Sequence, residues 1–437
     1  MQRRLLIKGG RVITSADSAS CPAVNDVLVV GKHISQIAPR IAVAADEVID
    51  ATGRVVMPGL IDSHRHAWHS ALGSGFPTDG LKPYLDQAAG HGRQFSPEDV
   101  YVSNLLSAVE AIDAGVTTML DWSDVSRTPE HSDAAIAALS MSGIRAVHAV
   151  DMGRASFESD LRAQNLRRLI EQHGTREDSL LTVAMGIAGP EFGDYTTTWR
   201  DLRTARDLGV RISMHVGCSN LGARDAVERI DKEGLLGPDI TYVHANFCSD
   251  RALDLIRQSG GSIVSSPAVE SMGRCAPPYL RFEAFGLTPS LGVDFGVGVA
   301  GNLFTVMRSA LAQSSMASRQ LRLKDVKAVF HAPYDVLGWG TIEGARTLGL
   351  DEHVGTLEVG KQADLIVLEL KGTQRASFAE TASAVVNGGS PASVTDVVIA
   401  GRVAKRGGHV VGIDVESLRI QAAGIRERVI SGAHALR

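Results

Sequence analysis

Val55-Val56-Met57-Pro58-Gly59-Leu60-Ile61-Asp62-Ser63-His64-Arg65-His66 is the stretch on which the reading of this chain turns. An apolar run enters a Pro-Gly turn and leaves it as a short strand carrying two histidines two residues apart. Side chains i and i+2 of a strand share a face. His64 and His66 therefore present two imidazoles to one point, while Arg65 turns the other way to pack outside. One such pair is weak evidence in a chain with 14 histidines, and its weight depends on what the rest of the sequence brings near it.

Downstream, apolar strands alternate with amphipathic helices. Ser96 is a candidate helix cap, followed by Pro97 and Asp99 in the first turn and by Val102, Leu105, Leu106, Val109 and Ile112 at helical spacing. Gly115 ends that helix and Val116 to Asp121 reads as the next strand. Further strands are expected at 145–150, 181–187, 211–216, 241–244, 262–265 and 290–293, with helices such as 199–208 and 226–233 between them. Counting the strand at Leu60, this makes eight. Eight strands alternating with helices predict an α/β fold, a (β/α)₈ barrel with its function at the C-terminal strand ends.

Both ends of the chain read differently. Short strands separated by Gly9-Gly10, Gly31-Lys32 and Thr52-Gly53 fill the first 57 residues, and a strand at 364–370 precedes a hairpin turning at Ala400-Gly401. We expect residues 1–57 and 355–411 to form one small β-sandwich domain, 58–354 the barrel, and 412–437 a helical C-terminal segment.

Composition narrows the function classes. Hydrophobic residues make up 44% and charged residues 21%, as in soluble globular proteins. A net charge of −5 argues against a nucleic-acid partner. No apolar run reaches the ~18 residues of a membrane span, and the first ten residues lack a secretory apolar core. Cys21, Cys218, Cys248 and Cys275 are too dispersed for a disulfide framework or a zinc ribbon. The expectation is a cytoplasmic protein acting on a small molecule.

Three later strands end on ionisable groups: Met214-His215-Val216, Val243-His244-Ala245 and Val293-Asp294. Such residues at successive barrel mouths are far less ordinary together than singly. His64, His66, His215 and Asp294 make a set of three nitrogens and one oxygen that suits Zn²⁺ or Fe²⁺ with a position left for water.

These residues, with Gly344 to Leu350 and the stretch Gly355-Thr-Leu-Glu-Val-Gly-Lys-Gln-Ala-Asp-Leu-Ile-Val367, resemble the amidohydrolase superfamily and within it the cytosine deaminase and triazine hydrolase branch. The resemblance runs over nearly the whole chain. It implies a distorted (β/α)₈ barrel with a β-sandwich from both termini, and a homo-oligomer. It implies one divalent metal ion, Zn²⁺ first and Fe²⁺ second, held by His64, His66, His215 and Asp294. The fourth strand has no lysine to bridge a second ion. His244 would contact substrate, and Asp294 would pass a proton from a metal-activated water to the leaving group.

The chain departs from that pattern at Cys218, where many deaminases of the branch carry a proton-shuttling glutamate three residues after the fifth-strand histidine. A thiol replaces a carboxylate poorly in that role. Glu270, just past strand seven, is the candidate replacement, as proton shuttle or substrate contact; its ordinary reading is a solvated loop carboxylate. Trp68 and Trp122 are candidates for an aromatic wall against a planar ligand, and Cys218 for the same pocket. His69, Asp121, Asp124 and His148 lie near strand ends, whereas His91, His131, His173, His353, His409 and His434 read as surface.

The expected activity is metal-dependent hydrolysis of a C–N bond in a cyclic amide or amidine of a small heterocycle. The alternatives are deamination of a nucleobase-like or triazine-like compound, hydrolysis of a lactone or carbon–halogen bond, and a non-catalytic binding protein on the same fold.

Overall fold

A computed structural model of the chain describes residues 2–15, 22–73, 81–151, 159–173, 179–218, 224–271, 278–295, 301–370 and 377–435. Its strands form two sheets. The first gathers β1 (Arg4–Val12), β2 (Ala23–Val30), β3 (His33–Ala38), β4 (Glu47–Asp50) and β5 (Val55–Pro58). The second contains β6 (Leu60–Arg65), β7 (Val116–Ser123), β8 (Arg145–Val150), β9 (Leu181–Ile187), β10 (Ile212–Val216), β11 (Ile240–His244), β12 (Ser262–Ser265) and β13 (Ser290–Leu291). The chain then returns to the first sheet with β14 (Leu365–Leu368), β15 (Val394–Ile399), β16 (Arg402–Arg406) and β17 (His409–Val410).

The two termini do share one sheet. β5 pairs parallel with β1 and antiparallel with β14, so strands from opposite ends of the chain lie side by side. The expected pair of strands around Gly9-Gly10 is a single strand. Its register with β2 slips between Ile7 and Gly10, and Gly9 takes a φ of +70°, so the glycines kink the strand rather than end it. The hairpin turn falls at Ala400-Gly401 as expected, both residues having positive φ.

The second sheet runs in chain order from β6 to β13 with every pairing parallel. A parallel bridge between Arg65 and Asp294 joins its two ends. There the Asp294 amide donates to the His64 carbonyl at 2.8 Å, and the His66 amide donates to the Asp294 carbonyl at 2.8 Å. The barrel thus closes between His64, His66 and Asp294. Gly292 makes the closure possible: a Cβ there would lie 2.7 Å from the His64 carbonyl oxygen and 2.8 Å from its Cβ.

Helices cover the barrel. Pro97–Asp113 begins with a reciprocal cap, in which Ser96 Oγ accepts from the Asp99 amide and the Asp99 carboxylate accepts from the Ser96 amide at 2.7 Å. The C-terminal helix Val415–Ala435 buries Leu418, Ala422, Ile425 and Val429 in one apolar cluster with Trp68, Leu72, Val100 and Leu105. That packing holds the short helix Ala67–Leu72 that directly follows His66. Arg65 is buried on the outer face of β6, where its Nε donates to Asp62 at 2.7 Å. Among the described residues no helix is long and apolar enough to cross a membrane.

Candidate metal centre and active-site cavity

β6 delivers His64, His66 follows directly on its end, β10 delivers His215 and β11 ends in His244. Asp294 follows β13 at the barrel seam. All five are buried. Ligating atoms of His64, His66 and His215 lie within 4.8 Å of one another, as do those of His64, His244 and Asp294. Asp294 Oδ1 sits 3.6 Å from His64 Nε2 and 3.5 Å from His66 Nε2, and its Oδ2 is 3.8 Å from His244 Nε2. His244 and Asp294 both adopt the left-handed backbone region, with φ of 76° and 66°. For non-glycine residues this costs about 1–3 kcal/mol each and is concentrated at functional positions.

The donor set fits a cation. Both ring nitrogens of His64, Nδ1 of His215 and Oδ2 of Asp294 are buried without a hydrogen-bond partner. Unpaired buried polar atoms are costly, and a divalent ion would take up the one nitrogen of each ring that faces it together with the Asp294 oxygen. Burial pushes the His64 imidazole down to about 4, against the pull of Asp294. Burial and the neighbouring imidazoles hold His215 well below its usual range. Both rings are therefore neutral with a lone pair to offer near pH 7. Burial works against ionisation of Asp294, but the His64 contact and the surrounding imidazoles outweigh it and hold its carboxyl far below the usual range. Burial also opposes protonation of His66, yet Asp124 beside it raises that imidazole overall.

The centre opens into a cavity of about 390 Å³, lined by His66, Trp68, Trp122, Asp124, His215, Cys218, His244 and Asp294 on the barrel side. Trp122 is fixed by its indole N–H, which donates to the Ser213 carbonyl at 3.1 Å, and its ring meets His215 edge-on at 4.5 Å. Tyr84, Phe192 and Phe295 complete the walls, with Tyr84 and Phe295 stacked at 4.1 Å.

The Amidohydrolase family model matches residues 55–404. The chain belongs to the amidohydrolase family. Family membership sets the reaction class as metal-dependent hydrolysis of C–N bonds other than peptide bonds. A 5'-deoxyadenosine deaminase from Methanosarcina mazei is 25% identical, with 98% of each chain covered. A zinc-bound adenosine deaminase from Xanthomonas campestris has the same fold, with a TM-score of 0.86 at 22% identity over 98% of each chain. A triazine hydrolase from Arthobacter aurescens follows at 0.83, with 22% identity over 97% of this chain and all of that one.

In this amidohydrolase Glu270 stands elsewhere than the sequence suggests. It is fully buried at the end of a one-turn helix, Pro267–Glu270, and does not line the cavity. Its Oε1 lies 2.7 Å from His244 Nδ1 and accepts from the Ser266 amide at 2.9 Å, while Oε2 accepts from Ser265 Oγ at 3.0 Å. The solvated-loop reading is thereby corrected: the carboxylate is buried and meets the cavity lining at His244. Cys218 does face the cavity, and its amide donates to the Glu191 carboxylate at 2.7 Å.

Two of the presumed surface histidines are also corrected. His91 is buried, and His131 is buried with Nε2 3.1 Å from the Phe95 carbonyl and Nδ1 2.8 Å from Thr128 Oγ1. The His434 side chain, Cys21 and Cys275 lie outside the described residues. His148 and Asp121 form a buried pair at 2.9 Å, and Asn104 donates to the same Asp121 oxygen at 2.9 Å. Sequence reading passed over Tyr84, Phe192 and Phe295; Phe192 and Phe295 follow strand ends, whereas Tyr84 lies on the helix Leu81–Gly92.

Proposed function

We propose that this amidohydrolase uses one zinc ion to remove an amino group hydrolytically from a planar nitrogen heterocycle. Several facts support this reading. Full-length relatives are named as deaminases, and flat aromatic rings wall the cavity. The observation that carries it is the His244–Glu270 pair, a buried acid–base unit whose other ring nitrogen, Nε2, faces Asp294 Oδ2 at 3.8 Å.

His64, His66, His215 and Asp294 would hold the ion, which when bound acts as a Lewis acid and lets water ionise near neutral pH. Asp294 has one oxygen free of hydrogen bonds. It takes a proton from the attacking water and returns it to the departing nitrogen, a base-then-acid role. His244 donates from Nε2 to the oxygen or ring nitrogen on which negative charge develops, while Glu270 holds the Nδ1 proton and compensates the charge. Trp122, Tyr84 and Phe295 stack the ring and exclude water. Water adds to the sp² carbon, the C–N bond breaks, and ammonia leaves.

A second reading, ring-opening hydrolysis of a cyclic amide, is favoured by one feature only: Cys218 supplies no carboxylate beside His215. The test is a panel of amino-substituted purines, pyrimidines and triazines beside cyclic amides, offered to the zinc-loaded protein. Ammonia release from an aminated ring supports deamination. Ring opening without ammonia supports the second reading and rejects the first.

A further inference from the structure

We propose that Asp124 is the positioning residue of the metal centre: it sets the orientation and tautomer of His66 and ties Trp68 to the same oxygen. The inference rests on the reading of His64, His66, His215 and Asp294 as a metal site.

The geometry is specific. Asp124 Oδ1 lies 3.2 Å from His66 Nδ1, on the side of the ring away from Asp294, and it accepts from Trp68 Nε1 at 2.5 Å. His66 Nε2 faces the centre, 3.5 Å from Asp294 Oδ1. The two ring nitrogens therefore have opposite tasks, with Nδ1 carrying the proton toward a carboxylate and Nε2 keeping its lone pair. Neither of the other two imidazoles is treated this way: Nδ1 of His64 and Nδ1 of His215 have no hydrogen-bond partner. Among the described residues, Asp124 is the only carboxylate bonded to the outward nitrogen of one of these three rings.

The ring it holds is also the one in need of support. His66 stands at the last position of the barrel seam, where β6 gives way to the short helix Ala67–Leu72. Asp121, three residues before Asp124 on the neighbouring strand, accepts from the Ala67 amide at 3.3 Å. Two carboxylates of one strand end thus grip three successive residues, His66, Ala67 and Trp68. The side chain of Asp124 is 35% exposed and lines the cavity. Carboxylates bonded to a ligating imidazole fix its tautomer and raise its basicity, and their loss weakens metal binding by about 10–100-fold.

The experiment measures zinc affinity by competition with a chromogenic chelator for the wild type, Asp124→Asn, Asp124→Ala and the surface control Asp133→Asn. The absorption spectrum of each cobalt-loaded protein is recorded beside it. Asp124→Asn keeps an oxygen for Trp68 and loses only the charge, so it reports even if Asp124→Ala folds poorly. We expect about 10-fold weaker zinc binding for Asn and about 100-fold for Ala. The cobalt spectrum should change in both, with Asp133→Asn unchanged. Wild-type affinity and an unchanged spectrum in Asp124→Asn overturn the proposal while leaving the metal site intact. A wild type that binds no metal overturns both, so the two failures are distinct.

Discussion

Glu270 Oε1 lies 2.7 Å from Nδ1 of His244, and both side chains are fully buried. The pair is the innermost link of a chain, since Ser265 Oγ bonds both Glu270 Oε2 and the hydroxyl of Tyr279, each at 3.0 Å. Burial, reinforced by Glu270, pushes the Tyr279 phenol well above its usual range. Tyr279 thus stays a donor, and the chain ends on a proton that does not leave at working pH. Charge that develops at His244 is met by a carboxylate fixed on its far side.

Replacing Glu270 by Gln removes that charge and keeps the side-chain volume. We expect kcat to fall about 100-fold, in the range of a lost acid–base group, with zinc content unchanged. Glu270→Ala also strands His244 Nδ1 and the Ser266 amide, and should lower stability by about 1–3 kcal/mol. Steady-state kinetics and urea unfolding separate the two effects; a Gln variant with wild-type kcat removes the pair from the proton path.

Cys218 occupies the place beside His215 where a carboxylate would serve, yet the mechanism gives its thiol no proton to carry. Cys218→Ala should keep kcat within a few-fold of wild type. A loss comparable to that of Glu270→Gln would return the thiol to the mechanism.

Gly292 lets the barrel seam close against His64. In Gly292→Ala the new methyl meets the His64 backbone and Cβ at under 3 Å, and neither can give way without moving the histidine. The expected outcome is a destabilisation of about 1–3 kcal/mol, typical of overpacking, together with loss of tight zinc binding. Calorimetry with metal analysis checks both, and a variant that retains full zinc would show that the seam is looser than it looks.

Acid should destabilise the metal-free protein. His64 is held near 4 in the fold against 6.5 for an ordinary histidine. Between those values the unfolded chain binds a proton that the folded chain refuses, so stability falls as pH drops through the window. For His64 alone the loss approaches about 3 kcal/mol. His215 and His69, both lowered first by burial, act in the same direction, and His66, which is raised, acts against them. Urea unfolding of the metal-free protein at pH 7 and pH 4.5 measures the difference, and equal stabilities would contradict the burial of these rings.

Much of this molecule is legible in its sequence because most barrel strands are apolar runs that stop at or beside a polar residue. The strands at 145–150, 181–187 and 262–265 fall where the pattern puts them. β13 is shorter than expected, with Asp294 joined to the barrel by its bridge to Arg65 instead of by a regular strand. What the sequence hides is pairing at a distance. Glu270 looks like a loop acid because its partner is 26 residues away on another strand. His91 and His131 look like surface residues because nothing local shows that helices of the barrel wall close over them. Asp124 is visible as a strand-end acid, but its two partners are the cap and the second residue of the short helix that follows β6.

The central claim is that His64, His66, His215 and Asp294 gather around a single ion. Anomalous scattering at the zinc edge from crystals of the zinc-loaded protein tests it most directly. The account predicts one strong peak per chain within about 2.0–2.2 Å of the three imidazoles and the carboxylate. No peak there, or a peak bound by other residues with these four left apart, would contradict it.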